Sequence, residues 1–262
     1  MSDLKGKRVL ITGSTSGIGL GFAEGFAEAG CDVMLNGFGD ADQIEKDRAA
    51  LEKDHGIRAF YNGADMTDPD QIKAMCQDAK DRMGGVDILI NNAGIQHVEK
   101  IEDFPREKWD AIIAIILSSS FHTTQACVPM MREAGWGRII NLASAHALVA
   151  SPYKAAYVAA KHGMAGLTKV VALEVARDNI TCNAICPGYV KTPLVENQIA
   201  DTARARGIPE DRVIEDVILL NLPTKTFVEI EELADFAKFL CSRGGNGING
   251  AILSADGGWS AQ

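Results

Sequence analysis

Residues 8–28 read RVLITGSTSGIGLGFAEGFAE, a short strand-like run that passes through a glycine-rich turn into a helical pattern covering 17–30. Glycine permits a tight turn and a close approach of backbone to ligand. The helix beyond presents free N–H groups and the positive end of its dipole, an arrangement suited to a pyrophosphate. Three glycines alone would decide little; Gly13, Gly17 and Gly19 gain weight from standing between a strand and a helix. A P-loop is the competing cradle, but it ends in Gly-Lys-Ser/Thr. Here Gly19 is followed by Leu20 and Gly21, which rejects it.

Outward from this stretch, short β-branched runs alternate with longer amphipathic ones. RVLIT (8–12), DVMLN (32–36), AFYNG (59–63), DILIN (87–91), RIINLAS (138–144), ITCNAI (180–185) and AILSA (251–255) read as strands. Helical patterns cover 17–30, 41–54, 68–83, 106–134, 152–177 and 230–241. The alternation predicts an α/β fold, a Rossmann-type doubly wound parallel sheet of seven strands with helices on both faces. Residues 1–262 read as one domain, because no linker or charge block interrupts them. Ligands of such sheets bind beyond the carboxyl ends of the strands, where strand order reverses. The segment from Thr192 to Asn221 breaks the rhythm; it is long, charged and helical, and its place after the sixth strand predicts a lid.

Composition narrows the function. A net charge of −9 opposes binding to nucleic acid or an anionic membrane surface, since either needs a basic face. The longest unbroken apolar run, Ala111 to Leu117, falls far short of the roughly 20 residues that span a bilayer, so no membrane helix is expected. The opening MSDLKGKRVLITG lacks the apolar length of a signal peptide, and a cytoplasmic location is expected. Six scattered cysteines form no CxxC pair and have no histidine at zinc spacing; they read as buried free thiols, with no metal site.

A dinucleotide site of this kind places an acid after the second strand to hold the adenine ribose, or an arginine for a 2′-phosphate. The chain has neither there: the strand ends Asn36-Gly37-Phe38-Gly39, and the glycine loop carries only the hydroxyls of Ser14, Thr15 and Ser16. With no cation to neutralise a phosphate, NAD is expected over NADP.

The stretch SAHALVASPYKAAYVAAK, 144–161, mixes helical alanines with two lysines and a phenol. A helix opened by Pro152 would set Lys154, Tyr157 and Lys161 at spacings of three and four, on one stripe. Lowering a tyrosine from about 10 to about 7 needs roughly 4 kcal/mol of preferential phenolate stabilisation. Lys161 and a bound nicotinamide cation would supply it, and Ser144 at the end of the fifth strand would steady the reacting oxygen.

TGSTSGIG, NNAG (91–94), Ser144, Tyr157-x-x-x-Lys161, Pro187-Gly188 with Thr192, and DGGW (256–259) together resemble the short-chain dehydrogenase/reductase family over essentially the whole chain. The resemblance implies catalysis by Ser144, Tyr157 and Lys161. It implies cofactor contacts at Gly13, Thr15, Ser16, Gly17, Ile18, Gly19, Asn36, Phe38, Asp65, Met66, Asn92, Ala93, Gly94, Tyr157, Lys161, Pro187, Gly188, Val190 and Thr192, with Asp65 meeting the adenine and Thr192 the nicotinamide amide. A homotetramer is implied as well.

LNGFGD, NNAGIQH, IEDFP, ASAH, YVAAKHG and ICPGYVKTPLVENQI are similar to the branch of that family that interconverts D-3-hydroxybutyrate and acetoacetate with NAD. This narrower likeness implies a substrate pocket of Gln96, His146, Lys154, Gln198 and Trp259, the polar members gripping a carboxylate, and it gives Lys154 a reason to be there. Two alternatives stay open: another enzyme of the fold, such as a 3-oxoacyl-thioester reductase or polyol dehydrogenase, and an NAD-binding protein with weakened catalysis. The second rests on one departure. The family carries W-D-x-I-x-x-x-N-L-S, with an asparagine that positions a proton-relay water; here WDAIIAIILS puts Ile116 in its place, and isoleucine has no polar atom.

Overall fold

The computed structural model describes residues 4–261. Strands β1 (Arg8–Ile11), β2 (Asp32–Asn36), β3 (Ala59–Asn62), β4 (Ile88–Asn91), β5 (Gly137–Leu142), β6 (Ile180–Pro187) and β7 (Ile252–Ala255) form one sheet in the order β3-β2-β1-β4-β5-β6-β7. Every pairing is parallel. Between and after the strands run α1 (Gly17–Glu28), α2 (Ala41–His55), α3 (Pro69–Met83), α4 (Arg106–Ile113), α5 (Ser119–Ala134), α6 (Ala155–Glu174), α7 (Pro193–Glu196), α8 (Ile199–Arg206), α9 (Glu210–Val213) and α10 (Ile230–Cys241).

Strand alternation builds the layers. Val9 and Ile11 pack with Phe22 and Phe26 of α1 and Leu233 and Leu240 of α10. Leu10, between them in sequence, points the other way, into a core with Met34, Leu89, Met75 of α3 and Met131 of α5. Residues at period two serve opposite faces, and both faces are covered, so each strand reads as an unbroken apolar run. α1 lies close enough on α10 that a Cβ at Gly21 would sit 2.0 Å from Ile230 Cγ2. The order reverses between β1 and β4, and that opening positions the site.

Three local departures matter. α6 begins at Ala155, not at Pro152, because Tyr153 adopts a left-handed φ of 70° that no helix accommodates. Lys154 is therefore the N-cap of α6 and not a member of its stripe. The helical run 106–134 is α4 and α5 joined through a π-helical stretch, Ala114–Ser118, which contains Ile116. By length and composition this joined helix would suffice to cross a membrane, which a count of unbroken apolar residues conceals. Its Ile112, Ile116, Cys127 and Met131 are fully buried in the protein's own core.

The segment 192–221 folds as α7, α8 and α9, and packs Ala203, Val213 and Ile218 around Tyr189 and Trp259. All six cysteines are buried free thiols, with Cys182 and Cys186 on β6.

Candidate active site

At the sheet opening, Thr12 joins the first and fourth strands. Its hydroxyl accepts from the N–H groups of Asn92 and Ala93 at 3.0 and 3.1 Å, and the Asn92 amide donates to the carbonyls of Thr12 and Gly13. Gly13 has a φ of +63°, and a Cβ there would stand 2.7 Å from Ala93 Cα, so only glycine lets the two loops meet. Ser16 N-caps α1 without a side-chain bond of its own. First-turn residues Gly17, Ile18 and Gly19 line a cleft of about 380 Å³ that runs past Asn92 and Gly94 to Ser144, Tyr157 and Lys161.

The same cleft is lined by Thr15, Phe38, Pro187, Gly188, Val190 and Thr192, and by all five residues expected around a substrate: Gln96, His146, Lys154, Gln198 and Trp259. Asn36, Asp65, Met66 and Ala93, expected as cofactor contacts, stand outside this lining. Asn36 is buried behind the glycine loop, where its amide donates to the carbonyls of Asn62 and Ala64 and its oxygen accepts from Gly13 N–H. Asp65 accepts from the backbone and hydroxyl of Thr67, Met66 belongs to the core, and Ala93 backs Gly13.

Ser144 follows β5 and caps a short 3-10 turn, Ala145–Ala147, accepting from His146 N–H at 3.1 Å. Its hydroxyl faces the cleft with Tyr157 and draws the phenol down. Lys161, one turn beyond on α6, is buried; its Nζ donates to the Leu142 carbonyl at 2.6 Å and lies 5.5 Å from the Tyr157 ring centroid. Burial pushes Lys161 down to about 8. It also pushes Tyr157 up to about 12, against the opposing pull of Ser144. The expectation that Lys161 lowers the phenol is thus not met by the chain's own groups, because the cost of burying a phenolate outweighs them.

The end of the cleft around Lys154 and Trp259 is aromatic and cationic. Tyr189 stacks on Trp259 with centroids 5.5 Å apart and planes at 10°, and His146 stands edge-on to Trp259 at 5.0 Å and to Tyr157 at 5.8 Å. Lys154, although only the N-cap of α6, reaches this cluster: it is buried and its Nζ donates to the Tyr189 hydroxyl at 3.2 Å. Burial brings Lys154 down to about 8. His146 falls to about 3, chiefly through burial and then through the Lys154 charge, so it is neutral. Its ring nitrogens are engaged by Ser144 Oγ at 3.3 Å and Ser151 Oγ at 3.0 Å. The Gln198 amide donates to Leu194 O, and the Gln96 oxygen accepts from His97 N–H.

Tyr189 escaped the sequence reading. The available signal was its place in PGYVKT, between residues already chosen as cleft lining. The Leu142 carbonyl escaped too, since a main-chain acceptor carries no residue signature.

Comparison with known proteins agrees with this geometry. The family profile described as enoyl-(acyl carrier protein) reductase matches residues 13–260. D-beta-hydroxybutyrate dehydrogenase of Rhizobium meliloti is 56% identical, over 98% of this chain and 99% of its own length. The enzyme of that name from Cupriavidus necator is 52% identical, over 99% of this chain and 100% of its own. Among solved structures, L-sorbose reductase from Gluconobacter frateurii complexed with NADPH and L-sorbose superposes with a TM-score of 0.90 at 32% identity, covering 98% of each chain. Matched across nearly its whole length, in fold and in sequence, the chain belongs to the short-chain dehydrogenase/reductase family of oxidoreductases.

Proposed function

We propose that the chain interconverts D-3-hydroxybutyrate and acetoacetate with NAD. The observation that carries this reading is Lys154, a buried cation held against Tyr189, which stacks on Trp259, in the cleft that also contains Ser144 and Tyr157. A buried ammonium needs an anionic or polar partner. A small carboxylate supplies one, and the stacked aromatics leave an apolar wall for a methyl group. The names of the relatives at 56% and 52% identity point the same way.

The residues present fit a dinucleotide. The open first turn of α1 would hold the pyrophosphate, Phe38 and Thr15 would flank the adenosine, and Thr192, Val190 and Gly94 would border the nicotinamide. When bound, the dinucleotide supplies the hydride acceptor. Among the described residues, Lys154 and Lys161 are the only lysines or arginines in the lining, and both stand at the substrate end, so a 2′-phosphate would lack a partner and NAD is the cofactor that fits. Tyr157 takes the hydroxyl proton, Ser144 holds the reacting oxygen and Lys161 contributes positive charge. Bringing the phenol from about 12 to neutrality asks on the order of 7 kcal/mol, most of it from the positive nicotinamide ring. Leu194, Val195 and Gln198 line the cleft, which supports reading the segment 192–221 as its lid. Exposed Phe121 on α5 and Val170 and Leu173 on α6 suit the homotetramer implied by the family.

Initial rates with D-3-hydroxybutyrate, a 3-hydroxyacyl thioester and a polyol, each with NAD and NADP, test the reading. Turnover is expected for the hydroxy acid with NAD; preference for the thioester or the polyol would displace it.

A further inference from the structure

We propose that the proton taken up by Tyr157 leaves the cleft along Ser144, His146 and Ser151, a hydrogen-bonded row of side chains that ends at the surface. The inference rests on Tyr157 acting as the general base. Ser144 and Tyr157 line the same cleft and the Ser144 hydroxyl draws the phenol down, His146 Nδ1 lies 3.3 Å from Ser144 Oγ, and His146 Nε2 lies 3.0 Å from Ser151 Oγ. Ser151 is half-buried and borders a shallow outer depression with Glu99, Ile101 and His162. The imidazole therefore spans the wall between cleft and exterior, with a hydroxyl on each nitrogen.

Among the described residues, the Lys161 side offers no comparable row of side chains. The Lys161 ammonium donates to the Leu142 carbonyl, which has no proton to pass on. The position where the family places a relay asparagine is Ile116, wholly buried among Ile112, Ala143 and Ala160.

One proton per turnover must be discharged. The substrate O–H bond breaks as the Tyr157 O–H bond forms. The phenol proton then passes to Ser144 Oγ as the Ser144 proton passes to His146 Nδ1. His146 Nε2–H passes to Ser151 Oγ, whose own proton goes to solvent. His146 begins and ends neutral, with its tautomer exchanged, and a half-turn of the ring with rotation of the two serine hydroxyls restores the starting arrangement without returning the proton. Burial and the charges of Lys154, His162 and Lys161 all disfavour an imidazolium, so the transfer runs as a concerted shift through the neutral ring.

The test is stopped-flow proton release on mixing with NAD, read by a pH indicator, beside steady-state turnover of D-3-hydroxybutyrate. Ser151→Ala is expected to slow release and kcat by about tenfold and to enlarge the solvent isotope effect, leaving KM and NAD affinity within about twofold. Ser151→Thr, which keeps the hydroxyl, or imidazole in the buffer should restore the rate. Release and isotope effect in Ser151→Ala equal to the parent's would overturn the row, as would a parent that releases no proton. A parent that releases protons but does not oxidise 3-hydroxybutyrate overturns the substrate reading only, and the row is then decided by the release rates.

Discussion

Tyr157 works under two opposed influences: burial raises the phenol to about 12, and Ser144 draws it down. Tyr157→Phe removes only the ionisable oxygen, so NAD binding should persist while turnover falls by roughly a hundredfold or more; titration and rate on one preparation check this, and activity within a few fold of the parent would remove the tyrosine from its role. Lys154→Ala should raise KM for 3-hydroxybutyrate by about 10- to 150-fold, the loss of a charge-assisted contact of roughly 1.5 to 3 kcal/mol, with NAD affinity little changed. Lys154 sits at about 8 because burial disfavours its cation. The charge is present below that value and lost as pH rises through it, so KM should climb between pH 7.5 and 9; a KM flat across that range would place the carboxylate elsewhere. Ser144, Tyr157 and Lys161 were legible because their spacing is local. Tyr189 and Ser151 were not, since no spacing rule marks the one as the partner of Lys154 or the other as the partner of His146.

At the scale of elements, the π-helical stretch between α4 and α5 settles how Ile116 is read. Its side chain lies in an apolar cluster and faces Gly94, with Cγ1 3.6 Å from where a glycine Cβ would stand. Ile116→Asn would bury an amide there at a cost of about 1 to 3 kcal/mol. We expect the melting temperature to fall by several degrees and kcat to stay within about twofold, because the proton leaves by way of Ser151. A tenfold rise in kcat would show instead that the isoleucine impairs the relay. Strand and helix positions followed from hydrophobic periodicity, which the sheet enforces on both faces. The start of α6 did not, because Pro152 resembles a first helical residue while the left-handed Tyr153 beyond it forbids one.

For the whole molecule, the seven-stranded parallel sheet was readable from alternation, since parallel strands need a crossover between them, whereas its reversal between β1 and β4 comes from the strand order of the fold. The cleft's electrostatics were not readable, because burial is a property of the assembled fold: it sets Tyr157 near 12, His146 near 3 and both cleft lysines near 8. The central claim is that a buried cation reads a carboxylate beside the carbinol that Tyr157 deprotonates. It is tested most directly by kcat/KM for D-3-hydroxybutyrate against its methyl ester, with NAD in both cases. The ester keeps the carbinol and removes the charge, so kcat/KM should fall by about 10- to 150-fold, matching roughly 1.5 to 3 kcal/mol; equal values for acid and ester would contradict the account.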